Sequence, residues 1–144
     1  MLRLPIPAKL QLVLETLSDV TDRRVRQDLL VHYSSKFVPV PIEIAKPPYP
    51  DDNKVPFCES LAYVWGKSNP DGTLKFYFVV ENPYGLSAKA MAYVLDSTLS
   101  GAPKEQVREV STDIVEAVFG DELGMVRAQG LRGMVRKVLS FLGP

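Results

Sequence analysis

Cys58 is the residue of this chain with the most distinctive chemistry, because it is the only cysteine among 144 residues. It follows a proline-rich segment and precedes an alternating apolar stretch, which predicts a loop position at the start of a strand. A single cysteine excludes an intrachain disulfide and a zinc site built from several cysteines. Its thiol is therefore either a small buried apolar group or a nucleophile that reacts as a thiolate.

Few other side chains offer independent chemistry. His32 is the only histidine, and it is the base that Cys58 would need in a stand-alone thiol enzyme. The spacing of the two residues does not favour such a pair, so we expect a structural role for His32. The acidic pairs at 51–52 and 121–122 fit solvated loops and helix ends better than a metal site. Phosphate-loop and Ser-His-Asp signatures are also missing, so we expect neither a metal nor a cofactor.

The elements before Cys58 are predicted to be two helices and a long loop. Pro7 can open the first helix, whose apolar face repeats at helical spacing from Leu10 to Leu17. Thr21 can cap the second helix, with Asp22 in its first turn. Five prolines between positions 39 and 50 then predict an extended loop.

The elements after Cys58 are predicted to be a strand hairpin followed by helices. Apolar residues alternate over 61–65 and 74–80, and the turn sequence Asn69-Pro70-Asp71-Gly72 joins the two stretches. Lys54-Val55-Pro56 is expected to add a short third strand. We therefore predict an α+β fold in one domain over residues 1–144. Its small antiparallel sheet, of about three strands, packs against two N-terminal and several C-terminal helices.

The bulk composition narrows the class of partner. Lys plus Arg number 17 and Asp plus Glu number 17, and this balance argues against broad nucleic-acid binding. The sequence contains no run of about 18 apolar residues, so we expect no membrane span. Residues 1–7 do not resemble a signal peptide. We expect a cytoplasmic protein, or one in an organellar stroma or matrix after removal of a transit peptide. Nothing demands a dimer, so we expect a monomer or weak dimer.

Several stretches of the chain, taken in order, carry a family resemblance. The first is Asn53-Lys54-Val55 with Cys58, Ser60 and Val64-Trp65, and it is followed by Ser87-Ala88-Lys89-Ala90-Met91-Ala92, by Leu99-Ser100-Gly101-Ala102-Pro103-Lys104-Glu105, and by Arg127-Ala128-Gln129-Gly130-Leu131-Arg132-Gly133-Met134-Val135. In order and spacing these stretches resemble the SufE family. Its members accept sulfur from cysteine desulfurases during iron–sulfur cluster assembly.

The resemblance implies a role for each site residue. Cys58 would carry a persulfide received from a SufS-like cysteine desulfurase, which it stimulates, and would pass the sulfur to a downstream cluster scaffold. Arg127, matched from the C-terminal motif, would be a supporting charge that pairs with Glu59 or steadies a thiolate. Lys54, Phe57 and Glu59 would contact the partner. We expect Pro56, Phe57 and Leu61 to form an apolar lid, and Cys58 to be sheltered until the desulfurase docks.

Three departures from the family pattern leave alternatives open. Phe57 stands where the family usually has glycine, two extra residues separate Cys58 from Val64-Trp65, and Tyr84 stands where the family has an acidic residue. A SufE-like module that binds and regulates a partner without accepting sulfur is the main alternative. The third interpretation is a stand-alone thiol enzyme, in which His32 would be the base for Cys58.

Overall fold

The structure, a computed structural model, describes residues 5–143, apart from the side chain of Glu122. These residues form six α-helices and one two-stranded antiparallel sheet, which confirms the predicted α+β class. The order of elements is α1 (Ala8–Asp19), α2 (Arg23–Ser35), β1 (Ala62–Ser68), β2 (Leu74–Val80), α3 (Leu86–Leu99), α4 (Lys104–Val107), α5 (Ile114–Phe119) and α6 (Met125–Ser140). Short 3₁₀ turns occur at Asp51–Asn53 and Gly120–Glu122.

The expected third strand is wrong, since the described residues form two strands. Lys54 makes only a single antiparallel bridge, to Tyr63. Pairing ends there because Pro56 has no N–H to donate to a ladder. Phe57 then adopts a φ of 57°, which turns the chain away from the sheet.

The predicted cap of α2 also moves by one residue, because the Asp22 carboxylate rather than Thr21 accepts the first free backbone N–H groups.

Both faces of the sheet are buried. On the inner face, side chains such as Val64, Phe76 and Phe78 join a core shared with all six helices. The outer face presents Tyr63 and Trp65, and the proline-rich segment covers it. Tyr49 of that segment lies with its ring centre 5.2 Å from Tyr63 and 5.6 Å from Trp65. The predicted loop is thus a third layer of the fold.

The free edge of β2 is covered by the turn that ends α3. Gly101, at a φ of 79°, donates its N–H to the Leu74 carbonyl at 2.8 Å. The Phe76 N–H donates to the Ser100 hydroxyl at 3.0 Å. Ser100 in turn donates to a carboxylate oxygen of Asp96 at 2.7 Å. Ser100 and Gly101 therefore form hydrogen bonds with unpaired backbone groups at the edge of β2 and hold α3 against that strand.

Replacing Ser100 with alanine leaves the Phe76 N–H without its acceptor. We expect this variant to lose about 1–2 kcal/mol of unfolding free energy. Ser97→Ala is the matched control, because the Ser97 hydroxyl bonds only to Val94 within the same helix, and its expected change is within about 0.5 kcal/mol. Urea unfolding followed by circular dichroism measures both, and equal losses in the two variants would contradict the role of Ser100.

Candidate functional site

The entry to the segment that carries Cys58 is fixed to the edge of β1. The Asn53 side-chain amide donates to the Val64 carbonyl at 2.9 Å. The Val55 N–H donates to the Ala62 carbonyl at 2.8 Å. This second bond closes the base of a six-residue loop, residues 56–61, which we call the cysteine loop. The Asn-Lys-Val stretch that precedes the cysteine therefore anchors the loop to the sheet.

The exit of the cysteine loop is fixed to the turn before α3. The N–H groups of Asn82 and Glu81 donate to the carbonyls of Ser60 and Leu61, each at 3.1 Å. Gly85 allows the close approach, because a Cβ there would lie 2.9 Å from the Ser60 hydroxyl oxygen. Both ends of the loop are thus held while its centre is free of sheet pairing.

The backbone of the cysteine loop is strained at two positions. Phe57 and Leu61 have φ values of 57° and 54°, in the left-handed region that residues with a Cβ avoid. The cost is roughly 1–2 kcal/mol per residue. A glycine at position 57 would remove that cost, which gives a physical reason for the family's usual residue there.

The predicted apolar lid is wrong. Phe57 is 81% exposed and Leu61 is 41% exposed, and Pro56 is exposed as well. None of the three lines the cleft beside the thiol. The left-handed turn at Phe57 is the reason, since it directs the phenyl ring into solvent instead of over Cys58.

Helix α6 lies directly against the backbone of Cys58. A Cβ on Gly130 would lie 3.3 Å from the Cα of Cys58 and 3.3 Å from the carbonyl oxygen of Phe57. One turn later, a Cβ on Gly133 would lie 3.2 Å from the carbonyl oxygen of Pro56. Glycine inside a helix costs roughly 0.5–1 kcal/mol relative to alanine. The two glycines are therefore explained by loop backbone lying directly against helix backbone.

Cys58 is half-buried and lines a cleft of about 620 Å³. We call this the thiol cleft. It lies between α2, the cysteine loop, the start of α3 and the first half of α6. Much of its wall is apolar and includes Leu30, Val31, Phe119, Leu123, Val126 and Leu131. The thiol thus faces a space much larger than a single added atom needs, with a partly apolar wall.

Two of the predicted charged residues reach the thiol cleft. Glu59 and Arg127 both line it and both are exposed. Among the ion pairs of residues 5–143 none joins them, so the predicted Glu59–Arg127 pair is not formed. Lys54 and Phe57 lie outside the cleft, at the entry and the tip of the loop. The structure therefore groups Cys58 with Glu59 and Arg127.

The described lining of the thiol cleft includes no histidine or lysine that could serve as a base. His32 is exposed on α2 and lies outside the cleft, although its neighbour Val31 lines it. The Cys58–His32 pair of a stand-alone thiol enzyme is thus not formed.

Near the loop entry, burial raises the pKa of Tyr63, and the carboxylate of Glu81 acts in the same direction. Tyr63 therefore keeps its proton at neutral pH.

Two further features are absent from the part of the chain that the structure describes. In that part of the chain, His, Cys, Asp and Glu side chains form no group of three or more that could hold a metal ion. The same part contains no helix with the length and apolar character needed to cross a membrane.

Sequence reasoning missed the structural roles of Asn53, Gly130 and Gly133, although all three lie in the motifs that carry the resemblance. The available signal was the pair of glycines inside a predicted helix, at a spacing that places them on one face. Such a pair indicates that another backbone approaches the helix there.

Comparison with known proteins identifies the family. The solution structure of a hypothetical protein from Thermus thermophilus matches with a TM-score of 0.73 and 24% identity over 95% of each chain, which shows a shared fold. No curated protein matches the chain. A family model described as "SufE: Fe-S metabolism associated domain" matches residues 11–141, a span that includes the cysteine loop and α6. The chain therefore belongs to the SufE family, whose domain is associated with iron–sulfur metabolism.

Proposed function

We propose that Cys58 accepts a sulfur atom from the persulfide of a cysteine desulfurase, stimulates that enzyme, and passes the sulfur to an iron–sulfur cluster scaffold. The observation that carries this proposal is the placement of the chain's only thiol, half-buried at the wall of the thiol cleft, which Arg127 also lines. The function rests on one side chain and on a loop whose two ends are fixed. The lone thiol suits a reducing compartment such as the cytoplasm or an organellar stroma or matrix.

The transfer step needs no external oxidant. The Cys58 thiolate attacks the outer sulfur of the donor persulfide, forming a new S–S bond while the donor S–S bond breaks. The donor cysteine leaves as a thiolate, and the proton on the outer sulfur travels with it to Cys58. Arg127 lines the same cleft, and we assign it the role of supporting charge for this step.

A carrier of this kind requires a single thiol and a shelter. A second cysteine nearby would attack the new persulfide and release sulfide, and this chain has no second cysteine. Apolar side chains of the thiol cleft, such as the buried Leu131, offer the outer sulfur a partly sheltered surface. The cleft thus supports a persulfide that survives between donor and acceptor.

Transfer is also expected to involve movement, because Cys58 is half-buried and the sulfur atom that it must meet is held by another protein. The two left-handed residues, Phe57 and Leu61, flank the segment that must move. Strained residues of this kind cost of order 1–3 kcal/mol each and persist only while their surroundings hold them. Docking of the desulfurase supplies the contacts that replace those surroundings, and Cys58 then turns outward.

The surface around the cysteine loop suits an apolar partner patch with a polar rim. Phe57 is 81% exposed and Tyr84, at the wall of the thiol cleft, is 88% exposed. Large exposed aromatic side chains are typical anchors of protein interfaces. Lys54 at the loop entry and Glu59 within the loop add one charge of each sign. The desulfurase is the partner that we assign to this surface.

Replacing Cys58 with alanine should abolish both sulfur acceptance and desulfurase stimulation, because the chain has no other thiol. After incubation with desulfurase and cysteine, the intact mass of the unaltered protein should rise by one sulfur, about 32 mass units. The variant should show no mass shift, and its urea unfolding midpoint should stay close to that of the unaltered protein.

The same measurement separates transfer from the regulatory alternative. An unaltered protein that binds and stimulates the desulfurase without gaining mass would be a binding module. Full stimulation by the Cys58→Ala variant would contradict the proposed role of the thiol in the same way.

Replacing Phe57 with glycine should raise stability and weaken docking together. Relief of the left-handed strain, less the entropy cost of glycine, leaves a gain of about 0.5–1 kcal/mol in urea unfolding. Loss of the exposed ring should raise the concentration for half-maximal desulfurase stimulation roughly tenfold. Phe57→Ala is the control, since it removes the ring but keeps the strain.

The two Phe57 variants test the strain and the ring separately. An alanine variant as stable as the glycine variant would contradict the strain argument. Unchanged half-maximal concentrations in both variants would show that the phenyl ring does not contact the desulfurase.

A further inference from the structure

We propose that Gly130 and Gly133 are positioning residues that set how far Cys58 is withdrawn from solvent in the resting protein, an inference that rests on the proposed function of Cys58. The two glycines are three residues apart on α6 and therefore share one helix face. That face carries no Cβ atom where the cysteine loop lies against it, and we call it the glycine seat.

The first half of the glycine seat holds the residue that carries the thiol. The Cβ position of Gly130 lies 3.3 Å from the Cα of Cys58, 3.6 Å from its Cβ and 3.3 Å from the carbonyl oxygen of Phe57. The two 3.3 Å distances are shorter than ordinary van der Waals contacts of a methyl group. A side chain at position 130 would therefore occupy the space that the loop backbone now fills.

The second half of the seat holds the entry of the loop. The Cβ position of Gly133 lies 3.2 Å from the carbonyl oxygen of Pro56 and 3.3 Å from a Val55 methyl carbon. Val55 is fully buried and is bonded to β1, so this end of the contact is firm. The seat thus continues from the anchored entry to the thiol itself.

Added bulk on the seat would displace the loop and not the helix. Pro56 and Phe57 are exposed, so the loop can move outward into solvent. Helix α6 is held in place by Leu131, Met134 and Val135, which are buried in the core. An extra methyl group at position 130 therefore pushes Cys58 away from the helix and toward solvent.

The seat also bears on how the loop separates from α6. Gly130 and Gly133 present no side chain to the loop, so separation at these two positions requires no repacking of a helix side chain. The loop instead rests on a smooth backbone surface. The distance to which the loop backbone can approach this surface therefore sets the resting position of Cys58.

Gly130→Ala tests the glycine seat. Overpacking by one methyl group should weaken the resting position enough to raise the rate of Cys58 alkylation by iodoacetamide about five- to thirtyfold. The urea unfolding midpoint should stay the same or fall only slightly, because the better helix propensity of alanine offsets much of that weakening. A residue with only a structural role would lower the midpoint and would not change alkylation selectively.

Gln129→Ala is the matched control on the same helix. Gln129 is exposed and its side chain does not line the thiol cleft, so its alkylation rate should equal that of the unaltered protein. A folded Gly130→Ala variant with an unchanged alkylation rate would overturn the proposal. If circular dichroism shows that Gly130→Ala does not fold, Gly133→Ala decides by the same criterion: a faster rate supports the seat and an unchanged rate overturns it.

Alkylation requires no desulfurase, so it keeps the two proposals apart. An unchanged alkylation rate in the variants removes the glycine seat even where the mass measurement demonstrates sulfur transfer. A missing mass shift in the unaltered protein removes sulfur transfer even where alkylation responds to Gly130→Ala.

Discussion

The position of Cys58 depends on the contact between the backbone of the cysteine loop and the backbone of α6. That contact exists because Gly130 and Gly133 present no Cβ atom, and because the loop crosses the helix at those two residues. The neighbouring hydrogen bonds determine where along the chain this contact begins. Asn53 and the Val55–Ala62 hydrogen bond fix where the loop begins, and α6 sets the depth at which its thiol lies.

A two-stranded sheet explains why so much of the chain is devoted to covering strand edges. A hairpin alone is marginally stable in water, and unpaired edges invite association with other chains. Here Asn53 bonds to one edge, while Ser100 and Gly101 bond to the other. Motif residues that sequence comparison groups with a reactive cysteine can therefore hold backbone instead of taking part in the reaction. The family resemblance of these stretches reflects a shared scaffold as much as shared chemistry.

The sequence predicted those features that depend on local periodicity and turn chemistry. The helices, the hairpin at Asn69–Gly72 and the loop position of Cys58 all follow from such patterns. The third strand was wrong because Pro56 has no N–H to donate and the chain then turns away at Phe57. The apolar lid was wrong because of the left-handed backbone at Phe57, which a bulky residue does not predict. The roles of Ser100 and Gly130 depend on contacts between distant parts of the chain, and no local pattern specifies such contacts.

The energies at the cysteine loop are balanced in a way that suits a carrier. The left-handed residues Phe57 and Leu61 oppose the resting form by roughly 1–2 kcal/mol each. The hydrogen bonds that hold the loop exit, from Asn82 and Glu81, favour it by about 0.5–1.5 kcal/mol each. These opposing terms are of similar size, so the resting form is held mainly by the fit of the loop on α6 and by the packing of Cys58 against the core. A partner that contacts the exposed Phe57 ring therefore needs to offset these two contributions, and the loop returns to α6 when the partner leaves.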